Sequence, residues 1–223
     1  MSRTKLIDRK LPDYTRGDEI FNMVSHIVGG GFAVLILIAC IVVSALHGSI
    51  PALLSSIPYG ITMILLYTMS SVYHGLTHPM AKKVMQVLDH CTIYLLIAGT
   101  YTPITICSIR QVSPALAWSV FGIIWAMAAL AITLTAIDLQ RFKVFSMICY
   151  LGMGWCVIFA IKPTFQALGL IGFILLVAGG VFYTVGAILY GLGKKRRYMH
   201  SVFHIFVILG SLAHFFCIIF YVL

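Results

Sequence analysis

Apolar runs of about 20 residues, each long enough to cross roughly 30 Å of hydrocarbon as a helix, recur along nearly the whole of this chain. No other feature constrains the fold as strongly. Backbone groups in lipid must find their partners within one helix or within a closed barrel, and the runs lack the period-two alternation of barrel strands. A helical bundle remains. The 223 residues are 61% hydrophobic and 9% charged, with a mean hydropathy of +1.04, which leaves too little polar surface to solvate a globule.

Seven helices are expected, over 21 to 46, 52 to 76, 88 to 109, 114 to 137, 144 to 161, 165 to 191 and 200 to 222. They form one all-α, polytopic, seven-transmembrane domain over residues 1–223, with a short cytoplasmic tail at 1–20. The tail is polar, and the apolar stretch after it is too long for a signal-peptide core and lacks a cleavage pattern, so it reads as a retained helix. Connections are short, the longest running from Thr77 to Val87, and sequential helices should pack as neighbours.

The net charge of +9 is first a topology signal. Thirteen of the fifteen basic residues fall in the tail, after helices two and four, and in the KKRR run at 194–197 after helix six. Only Arg110 and Lys162 fall on the other side. The positive-inside rule then puts the N-terminus in the cytoplasm and the C-terminus outside, with KKRR also suited to anionic lipid. Basic residues divided among short loops do not make a nucleic-acid surface.

Three packing features stand out. Gly179, Gly180, Gly186 and Gly191, with Ala187, offer a small-residue face for a neighbouring helix. Pro103 lies among Thr100, Thr102 and Thr105, where a kink is expected and threonine hydroxyls can take up freed carbonyls. The six cysteines lie within spans without a CxxC pair, as small apolar packing residues do.

Histidines carry the chemistry. Ser70 and His74, four apart, share a face at the cytoplasmic end of helix two. His200 and His204 have the same spacing at the cytoplasmic start of helix seven. Such a pair alone equally suits interfacial packing, but a third imidazole at the same depth suits a zinc site that keeps its fourth position open for water. All-histidine ligation also suits other transition metals.

Asp89, expected at the start of helix three, could orient a histidine or take a proton from water; a dipole-favoured helix N-terminal carboxylate is the alternative. His90 beside it points about 100° away. Glu19, Asn22 and His26 line one face of helix one and could form a polar layer behind the site, or serve as caps and interfacial groups. His214 lies about 15 Å deeper than His204, outside any site that includes His200. His47 and His78 fall in loops. HExxH, GxSxG and phosphate-loop motifs are absent from the sequence.

This ordered set resembles the progestin and adipoQ receptor family: Glu19, Asn22 and His26, then Ser70 and His74, then Asp89, then His200, His204 and His214-Phe215. The chain looks like its bacterial branch, the haemolysin III-related proteins, over essentially its whole length, which implies a bacterial plasma-membrane location. It implies zinc held by His74, His200 and His204, with Asp89 reaching the metal through water and Ser70 counted in the site. It also implies metal-dependent lipid hydrolysis, since the wider superfamily includes alkaline ceramidases. Bacterial relatives are linked to cell lysis and to the upkeep of membrane fluidity and energetics. The tail is too short for the cytoplasmic segment of hormone receptors, and His90 stands where receptor members often carry an aromatic residue.

Three functions follow as expectations. The first is a zinc-dependent hydrolase of amide or ester bonds in a membrane lipid. The second is a regulator of lipid homeostasis with a structural zinc site. The third, a cytolytic pore, is disfavoured because no row of polar residues crosses the full span of any helix.

Overall fold

The computed structural model describes residues 3–192 and 198–223, so the basic run at 194–197 lies outside the described residues. Helices make up the architecture, and no strand occurs among the described residues. The chain forms α1 (Arg16–Leu46), α2 (Ile50–Gly75), α3 (Pro79–Pro103), α4 (Pro114–Asp138), α5 (Lys143–Gly154), α6 (Ile161–Leu192) and α7 (Met199–Tyr221). Six helical stretches among the described residues are long and apolar enough to cross a membrane; the stretch from Lys143 to Leu192 counts as one of them.

Local chemistry sets the helix ends. Thr15 and Asp18 form a reciprocal capping box at the start of α1, so the helix begins inside the segment expected to be tail. At α3, His78 is the N-cap and accepts from the Ala81 amide, with Pro79 at the first helical position. The helix therefore occupies most of the expected loop at 77 to 87. Asp89 sits in its third turn rather than at its start, beyond the reach of the N-terminal dipole.

Pro103 does not break its helix. The chain continues from α3 into a π-helical turn, Ile104–Ile109, and then a helical turn, Arg110–Val112. The hydroxyls of Thr100, Thr102 and Thr105 bond to the carbonyls of Leu96, Ala98 and Tyr101 at 2.8 to 2.9 Å, which helps hold the wound geometry.

The expected break between helices five and six, at 162 to 164, is also displaced. Pro163 falls in the first turn of α6, where its missing N–H costs nothing, and the non-helical residue is Gly169, with φ 66° and ψ −177°. Across this point Phe165 packs on Phe173 with centroids 5.5 Å apart. Farther out, Trp155 Nε1 donates to Thr184 Oγ1 at 2.9 Å, so the two arms run alongside each other. Only glycine adopts this backbone conformation without strain of about 1–3 kcal/mol. Gly169→Ala is expected to lower the thermal unfolding midpoint in detergent while leaving metal content unchanged, checked by a melting curve beside metal analysis.

The tail is tied to the bundle. Thr4 N donates to Asp138 Oδ2 at 2.7 Å, Arg3 and Arg9 donate to the Ile137 carbonyl, and Lys83 donates to the Ile7 carbonyl. The tail, the start of α3 and the end of α4 therefore meet at one end. At the other, His47 meets the Leu223 carbonyl at 3.0 Å.

Inside, α1 packs against α2 and α7, α2 against α3, and α6 against α7. In the small-residue face of α6, a Cβ on Gly179 would lie 2.1 Å from the His214 ring, which explains its lack of a side chain. Gly191, in contrast, has nothing near it. All six cysteines are unpaired, five of them buried, as their apolar setting suggests.

Candidate metal centre

Three imidazoles from two helices converge at the end of the bundle where the tail docks. His74 ends the buried face of α2, and His200 and His204 occupy successive turns at the start of α7. His200 Nε2 lies 3.3 Å from His74 Nε2 and 3.1 Å from His204 Nε2. All three rings are buried. Tetrahedral zinc with nitrogen ligands at about 2.0–2.1 Å would separate them by about 3.3 Å, so the spacing fits a zinc-like ion.

The protonation pattern supports that fit. His74 Nδ1 lies 2.6 Å from Glu19 Oε2, and a carboxylate can only accept, so the His74 proton sits on Nδ1 and its Nε2 presents a lone pair inward. His200 Nε2 faces two other imidazole nitrogens and can carry at most one hydrogen. A cation at the centre would satisfy all three. The Nδ1 atoms of His200 and His204 find no protein partner, so only His74 has its ring oriented by a carboxylate.

Lys82 completes this support. Its Nζ lies 2.9 Å from Glu19 Oε1 and donates to the carbonyls of Tyr73 and Leu76 at 3.1 and 3.0 Å. It thus caps the end of α2 while holding the carboxylate that holds His74. Glu19→Gln is expected to weaken metal binding about 10- to 100-fold, measured by competition with a chromophoric chelator.

Two rings enclose the cluster. Tyr14, in the tail, stacks on His200 with centroids 4.8 Å apart and planes 21° apart. Burial raises the pKa of its hydroxyl above the ordinary phenol value, so it remains a neutral cover. His26 stacks on His204 at 3.7 Å and 25°. Asn22, one turn before it, is completely buried.

Asp89 and Ser70 stand beside the histidine group rather than within it. Both line a cavity of about 140 Å³ that also touches His26, His90, His200 and His204. Ser70 and Asp89 share this polar corner, and His90 Nδ1 lies 3.8 Å from Asp89 Oδ2. Away from this polar corner the cavity is apolar, lined by Leu66, Ile93, Ile97 and Val207. It extends as far as Trp155 and His214, whose Nε2 bonds the Leu176 carbonyl at 3.1 Å. His214 is thus remote from the histidine cluster.

The sequence reading missed Lys82, taken only as a loop charge, and Tyr14. Neither carries a local signal, since their roles depend on tail and helix contacts between distant parts of the chain. Tyr190, which pairs with His90 Nε2 at 3.3 Å and packs on His200, was also missed.

Residues 14–215 match the haemolysin-III related family, the span that holds every one of these groups. The chain belongs to this family. It is 41% identical over 206 residues to Hemolysin-3 of Bacillus cereus, covering 92% of each chain. It is 37% identical over 208 residues to the Hemolysin-3 homolog of Bacillus subtilis (strain 168), covering 93% of this chain and 96% of the relative. A more distant likeness is to the human Monocyte to macrophage differentiation factor, 26% identical over 167 residues, 72% of this chain and 67% of that one. No solved structure matches the chain. Bacillus haemolysin III relatives and a series of apolar helices together make this a multi-pass bacterial membrane protein, as the motifs led one to expect.

Proposed function

We propose that this haemolysin III-related protein is a zinc-dependent hydrolase of an amide or ester bond in a membrane lipid. The observation that carries the reading is the convergence of three buried Nε2 atoms, from His74, His200 and His204, at the polar corner of an otherwise apolar cavity. These residues would hold the ion; when bound, it supplies Lewis acidity and lowers the pKa of water to about 7.

The chain's own groups have separable tasks. The apolar cavity takes a hydrocarbon tail and keeps bulk water from it. Asp89 accepts the proton of the attacking water and returns it to the amine or alcohol that leaves as the C–N or C–O bond breaks. Ser70 donates a hydrogen bond from its hydroxyl to the carbonyl oxygen as negative charge develops there. Glu19 and Lys82 keep His74 in the tautomer and orientation that ligation requires.

Seven membrane crossings with a cytoplasmic N-terminus belong to the same proposal. The stretch from Lys143 to Leu192 would extend about 75 Å as a straight helix at ~1.5 Å per residue, far beyond one bilayer. The reversal at Gly169 supports reading it as two crossings. The tail, Lys83 and Arg141 share one end, which suits the cytoplasmic face.

The test is the metal content of purified protein by inductively coupled plasma mass spectrometry, followed by incubation with lipid amides and esters. About one zinc per chain and metal-dependent release of a fatty acid are expected. Folded protein without stoichiometric metal would remove the mechanism. Stoichiometric zinc without turnover of any lipid would favour the regulator.

A further inference from the structure

Helix α1 carries a row of buried polar groups that the hydrolytic steps above do not use. Asp18, Asn22 and His26 are 5%, 0% and 3% exposed, and their four-residue spacing puts them on one face over about 12 Å. The opposite face is apolar and exposed at Phe21, Val24 and Val28, so the row faces the bundle interior.

Five atoms of this row have no protein partner: Asp18 Oδ1, both amide atoms of Asn22, and both ring nitrogens of His26. The rest of Asp18 is occupied, since its Oδ2 takes the Thr15 amide and hydroxyl at 3.1 and 2.6 Å. His26 lies flat against His204, so its in-plane nitrogens do not point at that ring. Buried polar groups are costly without hydrogen bonds, and native interiors satisfy nearly all of them. Three successive turns of such groups on one face call for a small ligand that can both donate and accept.

We propose that Asp18, Asn22 and His26 bind a file of ordered water leading from the capped, tail-side end of α1 to the polar corner of the cavity. Water alone matches the set, which mixes a carboxylate oxygen, an amide that donates and accepts, and an imidazole of either tautomer. Space exists at the inner end, where His26 lines the cavity of about 140 Å³, far more than the roughly 10–15 Å³ that one water requires by this measure. The file would deliver water to the metal centre by a route separate from the apolar one that takes the lipid. This purpose rests on the hydrolase reading; the hydration does not.

Hydroxyl-radical footprinting by brief X-ray exposure in ¹⁸O-water tests the proposal on the full chain in detergent, both as purified and after chelation. Radicals formed from ordered water label side chains shielded from bulk solvent. His26 and its edge-on neighbour Tyr67, 5.0 Å away, are expected to label several-fold faster than Met63, which is equally buried in the apolar core. Labelling of His26 and Tyr67 no faster than Met63 would overturn the proposal.

Asn22→Leu supplies a second readout of opposite sign in the two cases. In a hydrated row it strands water and lowers the unfolding midpoint by about 2 °C or more; in a dry one it removes orphaned groups and raises it. A raised midpoint would also overturn the proposal. Labelled His26 in a protein that turns over no lipid would leave the water site standing and remove only the hydrolase.

Discussion

Replacing His204 with alanine is expected to abolish metal retention and hydrolysis together. The residue supplies one of three Nε2 donors, lies 3.1 Å from His200 Nε2 and is 1% exposed. No cysteine belongs to the histidine group; Glu19 is engaged by His74 and Lys82, and Asp89 lies outside the group. Two imidazoles remain, and the loss in affinity should exceed the roughly 10- to 100-fold expected for removing a supporting group alone. The fold should survive, because the α1–α2–α7 packing around the site is made mostly by other side chains. Zinc per chain by mass spectrometry, beside a circular dichroism melt, checks both halves. Retention of a full equivalent of zinc in His204→Ala would show that the site is elsewhere.

The second large effect concerns Asp89. Asp89→Asn keeps the size of the side chain and removes its capacity to accept a proton. Because Asp89 lies beside the histidine group rather than in it, the variant is expected to keep its metal while turnover falls about 10²- to 10⁴-fold. That separation distinguishes a proton acceptor from a ligand. Loss of metal in step with activity would reassign Asp89 to ligation, and unchanged turnover would remove it from the chemistry. Glu19→Gln supplies the contrast, since it acts on His74 and so on metal affinity first.

Packing explains why the element boundaries moved. The gap expected at 162 to 164 holds Pro163 in a first turn, and the kink expected at Pro103 is a π-helical turn within a continuous helix. The actual break is at Gly169, which sequence alone does not distinguish from the glycines of α6 that remain helical, because its positive φ is imposed by the packing of Phe165 on Phe173 and Trp155 on Thr184. Asp89 moved from a helix start to a third turn for a local reason instead: the His78 cap and Pro79 start α3 earlier than its apolar stretch does.

The sequence by itself determined that this chain is a helical membrane bundle, because lipid leaves no other solution to the hydrogen-bonding of apolar runs. It also determined which histidines share a depth, because helical spacing and loop charge are local quantities. Tertiary structure alone decided that His200 lies within 3.1 to 3.3 Å of the other two. It alone paired Glu19 with both His74 and Lys82 and laid Tyr14 over His200. These contacts join residues as many as 186 positions apart. No periodicity along the chain encodes them, since they arise from how whole helices pack and where the tail is tied.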